Sequence, residues 1–374
     1  MPLLGTRGAA SAAGFGFGSS AVVFPTFTLN QTLTNPVSAS PNFWFGWDLS
    51  FDESASKMLI SAPQQTGGSA NPQGAVFYYS RSGTTFNHGG TVYGSTGHTY
   101  QFGRGTSLAK NGSMYGVSSG GGSRQYLYIW PNTQSQTAAS DAEEATFAWT
   151  ASSPSSIVWT QDANTASSID SLNASGGTGS LSMTNVGYII KNIKSYAANR
   201  IALRGYTGIP NVDIYTINTS NGNLVYNSTV TSGNGIAFTS SGCSAISGDG
   251  NYLFVGYTSG GTGYLQLFSW SGSAYNYVTT ITRSSVSRFG ISVVTNYDGT
   301  VIAVGDDIST PQNVYIYQRS GNSLTLKQTI SGGAGRLGFT LAMNQDAGAT
   351  ATYLAVADFN DNSSAGKVYI YRGV

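Results

Sequence analysis

The chain has 374 residues and a formal net charge of +1, and 9% of its residues are charged, against about 25% in an average soluble domain. With no basic stripe to neutralise phosphates, this balance excludes nucleic acid as an expected partner. One cysteine, Cys243, rules out a disulfide within the chain, and no apolar run reaches the roughly 18 residues of a helical membrane span.

Gly, Ser, Thr, Asn and Tyr stand in for the missing charges, giving a polar, uncharged surface suited to an extracellular or virion setting. Residues 1–23 read MPLLGTRGAASAAGFGFGSSAVV. Gly5, Thr6, Arg7 and Gly8 break the apolar stretch, which therefore does not read as a secretory signal. Such a segment has nothing from which to build a core. It is expected to be an extended anchoring arm laid on a partner protein, with Leu3, Leu4, Arg7, Phe15 and Phe17 making the contacts.

From residue 24 to the end, short β-branched and aromatic runs alternate with Gly, Asp, Asn and Ser turns. Residues 26–33 form a first, isolated strand. Phe45-Gly46 then opens a unit that continues through Met58–Pro63 and Val76–Gly83, and Phe102-Gly103 opens a second with Tyr126–Ile129. Between 131 and 185 the pattern loosens. Ala145–Ala151 can supply a fourth strand to the second unit, and the remainder reads as an insertion on one rim, where Trp149 and Trp159 are candidate aromatic contacts.

Regular units resume at Val186-Gly187, Ser241-Gly242, Phe289-Gly290 and Leu337-Gly338. The sharpest runs from Phe289 to Ile330 and holds four strands. A period of about 40–60 residues with four strands each predicts an all-β chain, a β-propeller of four-stranded antiparallel blades. Six blades are favoured, with seven as the alternative. The last unit stops at Val374 without a fourth strand. Thr28–Leu33 matches Thr325–Ile330 position by position, so the N-terminal strand is expected to complete the last blade and close the ring, burying Phe27, Leu29 and Leu33.

Candidate chemistry is sparse. His88 aligns with Tyr226 and Leu326 at a position expected to face inward, and His98 lies in a connector. Metal spacings, nucleophile elbows and phosphate-cradling loops are missing from the sequence. Asp306-Asp307 and Asp358, Asn360 and Asp361 occupy equivalent loops of neighbouring units and are candidate ligand or cation loops. Two such carboxylates about 5–10 Å apart across a sugar cleft would be the minimum for a glycosidase.

The recurring Phe-Gly starts, with Ser61-Ala62-Pro63, Val304-Gly305-Asp306 and Val356-Ala357-Asp358 ending second strands, resemble the FG-GAP repeats of integrin-α-like β-propellers. That family implies calcium loops between the first two strands. The matching loops, at Asp52, Asn111, Asp249 and Asp298, offer a carboxylate or two where calcium takes about six to eight oxygens, so calcium is possible but not favoured and no cofactor is expected. The arm, GTRGAAS followed by GFGF, resembles N-termini of structural proteins from tailed, especially marine, bacteriophages. This resemblance implies a non-enzymatic virion protein, present in many copies as a tail, neck or head fibre or a decoration protein. Residues 1–20 would bind other virion proteins and the propeller a host-surface glycan or receptor. The alternatives are a secreted or cell-surface lectin-like module and, less favoured, a polysaccharide-degrading enzyme.

Overall fold

The computed structural model describes residues 24–37, 43–65, 74–94, 102–109, 111–112, 231–239, 242–333, 335–361 and 365–374, and between 115 and 230 residue 211 and the strands given below. The expected arm, His98 and Trp149 lie outside the described residues, as does the side chain of Trp159.

Among the described residues every element of any length is a strand. β1 spans Phe27–Thr34, and the first sheet holds β2 (Leu49–Phe51), β3 (Lys57–Ala62), β4 (Ala75–Ser82) and β5 (Thr85–Tyr93). The second holds β6 (Phe102–Leu108), β7 (Tyr115–Ser119), β8 (Gln125–Trp130) and β9 (Gln134–Ala138), and the third β10 (Glu144–Thr146), β11 (Ser156–Thr160), β12 (Ser168–Asn173) and β13 (Thr178–Ser182). The fourth holds β14 (Ile189–Asn192), β15 (Arg200–Gly205), β16 (Val212–Ile217) and β17 (Leu224–Val230), and the fifth β18 (Ser244–Ile246), β19 (Tyr252–Ser259), β20 (Thr262–Trp270) and β21 (Tyr275–Ser284). The sixth is β22 (Val293–Thr295), β23 (Val301–Asp306), β24 (Asn313–Ser320) and β25 (Ser323–Ser331). The last contains β26 (Leu337–Met343), β27 (Thr352–Asp358) and β28 (Lys367–Gly373), with β1 paired antiparallel to β28 as its fourth strand.

Among the described residues the strands make seven sheets, each four-stranded and antiparallel. The stretch expected as a rim insertion carries the third of them, and Ala145 lies in β10 of that sheet; the second unit takes its fourth strand from Gln134–Ala138. The Ser- and Thr-rich strands of this region concealed the repeat, because few apolar residues mark their period. First strands touch from sheet to sheet, β2 to β6, β6 to β10, β10 to β14, β18 to β22 and β22 to β26, and β26 touches β2. No helix of the described residues is long and apolar enough to cross a membrane.

The repeated Phe-Gly has a physical cause. In two units Phe-Gly, and in the last unit Leu-Gly, forms the middle of a four-residue turn, closed by Trp47 N donating to Trp44 O (3.0 Å), Ile291 N to Arg288 O (3.1 Å) and Phe339 N to Arg336 O (3.0 Å). Gly46, Gly290 and Gly338 have φ of 95°, 83° and 83°, as the third position of a type II turn requires. A Cβ there would also collide with the preceding sheet: at Gly290 it would lie 2.6 Å from Gly256 Cα, and at Gly46 3.2 Å from Ala357 Cβ. The small residues Gly256 and Ala357 of the second strands are therefore the other half of the same contact. That Gly46 of the first sheet meets Ala357 of the last joins the two ends of the array.

Five of the outermost strands share a bulge, whereas β9 and β13 pair without one. Opposite Tyr371, Tyr79, Tyr215, Phe268 and Tyr317 stand Leu29, His88, Tyr226, Tyr277 and Leu326, and the next strand residue is in each case unpaired. Residues at this position face solvent, so the expectation that Leu29 and His88 point inward is corrected. Leu29 is 54% exposed, while His88 is exposed with Nε2 3.0 Å from Thr91 Oγ1. The extra residue in β1 reverses the alternation, so Phe27 and Leu33 are buried on opposite faces of the last sheet. Phe27 packs with Ile316, Ile330 and Leu354, and Leu33 with Phe77, Phe86 and Val368.

Two glutamines hold this closing strand from either side. The Gln328 amide accepts from Phe27 N (3.0 Å) and donates to Phe27 O (2.8 Å), and Gln31 does the same to Phe86 N (2.8 Å) and O (3.0 Å). Arg319 donates to the carbonyls of Gly299, Asp298 and Gly321 and stacks on Tyr252 of the preceding sheet at 3.6 Å. Arg81 repeats this with Ala55, Ser54, Gly83 and Tyr353. Near the ends of the first strands, buried Gln345 donates Nε2 to Ile246 O (3.0 Å) and Thr295 O (3.1 Å), and its N to Glu53 O (3.0 Å), bridging three other sheets.

Candidate functional site

The turns that precede the first strands bring side chains together on one face. Positions one and four of each turn flank the Phe-Gly pair, so Trp44 and Trp47 come from the first sheet, Arg336 and Phe339 from the last, and Arg288 from the sixth. Arg104, which follows Gly103, joins them from the second sheet, with its guanidinium 5.6 Å from the Trp47 ring.

The two tryptophans stack with ring centroids 5.0 Å apart and planes at 19°. Trp47 also packs on Phe339 (5.0 Å) and edge-on to Phe359 (5.1 Å), and Phe359 forms the buried floor. Both tryptophans are only half-buried. Trp44 has a φ of 58°, a left-handed conformation rare for a bulky residue. Strain of this kind costs about 1–3 kcal/mol and survives where the surroundings fix it.

The candidate acids lie beneath this surface. Asp306, Asp307 and Asp358 are fully buried. Asp307 Oδ2 pairs with Arg336 Nη1 at 3.0 Å and Arg288 Nη1 at 3.3 Å, while its buried Oδ1 lacks a hydrogen bond among the described residues. Asp306 accepts from Arg288 N (3.0 Å) and Ser309 Oγ (2.5 Å), and Asp358 accepts from Arg336 N. Asp361 pairs with Lys367 Nζ at 2.7 Å, and Asn360 is exposed beside it. Burial pulls the Arg288 guanidinium below its ordinary value, with Asp307 opposing. Asp307 thus faces two guanidinium groups, while Asp306 and Asp358 hold the same two arginines by their backbone N–H groups. Among the described residues no three His, Cys, Asp or Glu converge as a metal site. The loops suggested by the calcium resemblance close on themselves: Asp52 accepts from Ser54, Ser56 and Lys57, Asp249 from Ser247 and Asn251, and Asp298 from Thr300.

Sequence reasoning reached the acids but passed over Trp44, Trp47, Arg104, Arg288, Arg336 and Phe339. Their signal was present: each is adjacent to a Phe-Gly or Leu-Gly pair, and aligning those flanking columns across units gathers them.

Sheets of four antiparallel strands, meeting through their first strands and sharing one strand across the chain ends, define a β-propeller. Solved structures agree. The chain superposes on the β-propeller domain of Cps50 (Swd1) from Myceliophteria thermophila with a TM-score of 0.63 at 10% identity, covering 92% of this chain and 99% of that one. A chain of the mitotic checkpoint complex gives 0.63 at 13%, covering 100% and 98%, and the Pseudomonas aeruginosa periplasmic gluconolactonase PpgL gives 0.54 at 12%, covering 75% and 84%. Identities this low speak for the fold alone. No family model matches the chain, and no curated protein matches it.

Proposed function

We propose that the chain is a non-enzymatic structural protein of a tailed-bacteriophage virion, a fibre or decoration protein whose seven blades form one ring sewn shut by Phe27–Thr34. Residues 1–23 anchor it to other virion proteins, and the ring displays an adhesion surface to the host in many copies. The virion assignment is carried by the arm, whose GTRGAAS and GFGF runs resemble those of phage structural proteins. The adhesion assignment is carried by the half-buried Trp44–Trp47 stack bordered by arginines. Many weak, uncharged contacts from Tyr, Asn, Ser and Thr loops suit multivalent binding. A non-enzymatic reading is favoured because the acids a glycosidase would use are buried under Arg288 and Arg336.

The test is to express the full chain with Leu3, Leu4, Phe15 and Phe17 replaced by serine. It is expected to fold and melt like the wild type yet no longer to co-sediment with purified virus particles. Undiminished incorporation into particles counts against the anchoring role. A secreted lectin-like module is the second reading, supported by the same tryptophan stack. It predicts glycan binding with no particle association by the wild-type chain.

A further inference from the structure

We infer that the aromatic–arginine surface is a binding site for an acidic sugar, one carrying a carboxylate. This deepens the adhesion reading above and rests on it. A sugar ring offers an apolar C–H face and a polar rim. The Trp44–Trp47 stack, with Phe339 beside it, offers a half-exposed aromatic surface on a buried floor, the partner such a ring face needs.

Charge decides between neutral and acidic sugars. The carboxylates of Asp306, Asp307 and Asp358 are fully buried, whereas the Arg288 and Arg336 side chains are 25% and 34% exposed. A ligand therefore meets guanidinium edges rather than acids. Each of the two arginines gives Nη1 to the same Asp307 oxygen, and a guanidinium has five N–H donors in a fixed fork. The donors left over suit a planar, two-oxygen anion. Burial has already weakened the protonated form of Arg288, so an anion there meets a cation that gains from a partner. A polynucleotide would stack on tryptophan equally well. It would also need a basic track for its phosphates, and the chain's net charge is +1.

The experiment uses the full chain with isothermal titration and tryptophan fluorescence. Probes are 3′-sialyllactose and tri-galacturonic acid, with lactose as neutral control and cytidine monophosphate as nucleotide control. At least one acidic sugar is expected to bind at least tenfold tighter than lactose and to weaken as salt rises. Trp47→Ala and Arg288→Ala should each cost about tenfold or more in affinity. Should Arg288→Ala unfold the ring, Arg104→Ala, which leaves the Asp307 pairs intact, should lose affinity with an unchanged melting curve. Equal binding of lactose, tighter binding of the nucleotide, or no acidic sugar bound at millimolar concentration overturns the proposal. None of these results bears on the arm, whose failure would appear as loss of particle association with sugar binding intact.

Discussion

The closing strand makes the sharpest prediction, because its bulge separates two residues that a plain alternation would treat alike. Phe27 and Leu33 are 2% and 6% exposed, and Leu29 between them is 54% exposed. Truncating a buried Phe to Ala costs about 3–5 kcal/mol and a buried Leu about 2–5 kcal/mol, the lower end applying where the site can collapse. An outermost strand collapses easily, so Phe27→Ala should cost about 3 kcal/mol and Leu33→Ala about 2 kcal/mol. Leu29→Ala should stay within about 0.5 kcal/mol, as exposed substitutions do. The first two residues pack in different clusters on opposite faces, so their costs should add, to about 5 kcal/mol. Native domains hold about 5–15 kcal/mol in all, so the double variant should be close to unfolded and prone to pair its exposed edge. Urea unfolding followed by tryptophan fluorescence reads each value. A Leu29→Ala loss equal to that of Leu33→Ala would mean an unbroken alternation, and the register of the closing strand would have to be redrawn.

Three further outcomes are expected. Gln345→Leu removes both donors to Ile246 O and Thr295 O. Leaving two buried carbonyls unmet should cost about 2–5 kcal/mol in urea unfolding; a loss below about 1 kcal/mol would deny the bridge. Arg319→Ala removes bonds to three carbonyls and the stack on Tyr252. It should cost about 1.5–3 kcal/mol, with Arg319→Lys recovering only part because an ammonium cannot reproduce the fork; full recovery by lysine would refute the geometry. Burial raises the Asp52 carboxyl above its ordinary value, against hydrogen bonds led by Ser56 that lower it. A raised folded-state value contributes stability that is complete below the unfolded value of about 3.8 and is lost as pH rises through the folded one. Wild type should therefore lose stability relative to Asp52→Asn as pH rises above the unfolded value, and parallel pH profiles would sink the assignment.

Much of this was legible in the sequence, and the parts that were not share a cause. The Phe-Gly turns, the Asp249-Gly250 and Asp298-Gly299 turns and the match of Thr28–Leu33 to Thr325–Ile330 rest on backbone constraints that only particular residues meet, and each is found as a turn or a strand pairing. Residues 144–182 escaped because their strands are marked by little beyond Ile157, Val158, Trp159, Ile169, Leu172 and Leu181. Leu29 and His88 were misplaced because an alternation of two is broken by one inserted residue. The threonine three residues further on, which accepts or donates at Thr91, Thr229 and Thr280, was the clue that this column faces water.

The aromatic surface was missed for a different reason: no single unit contains it. Trp44 and Trp47 come from the first unit and Phe339 and Phe359 from the last, and Thr340 Oγ1 donates to Trp47 O across the same junction at 2.8 Å. Those two units are adjacent in space only because the chain ends meet there. Leu33, in the strand that completes the last sheet, packs in the same cluster as Phe45, one of the two residues between Trp44 and Trp47. The aromatic surface therefore belongs to the junction between the first sheet and the last. The contact of β2 with β26 and the Thr340–Trp47 hydrogen bond set the spacing between the Trp47 turn and the Phe339 turn, so the aromatic surface is held by the first strands of the two sheets.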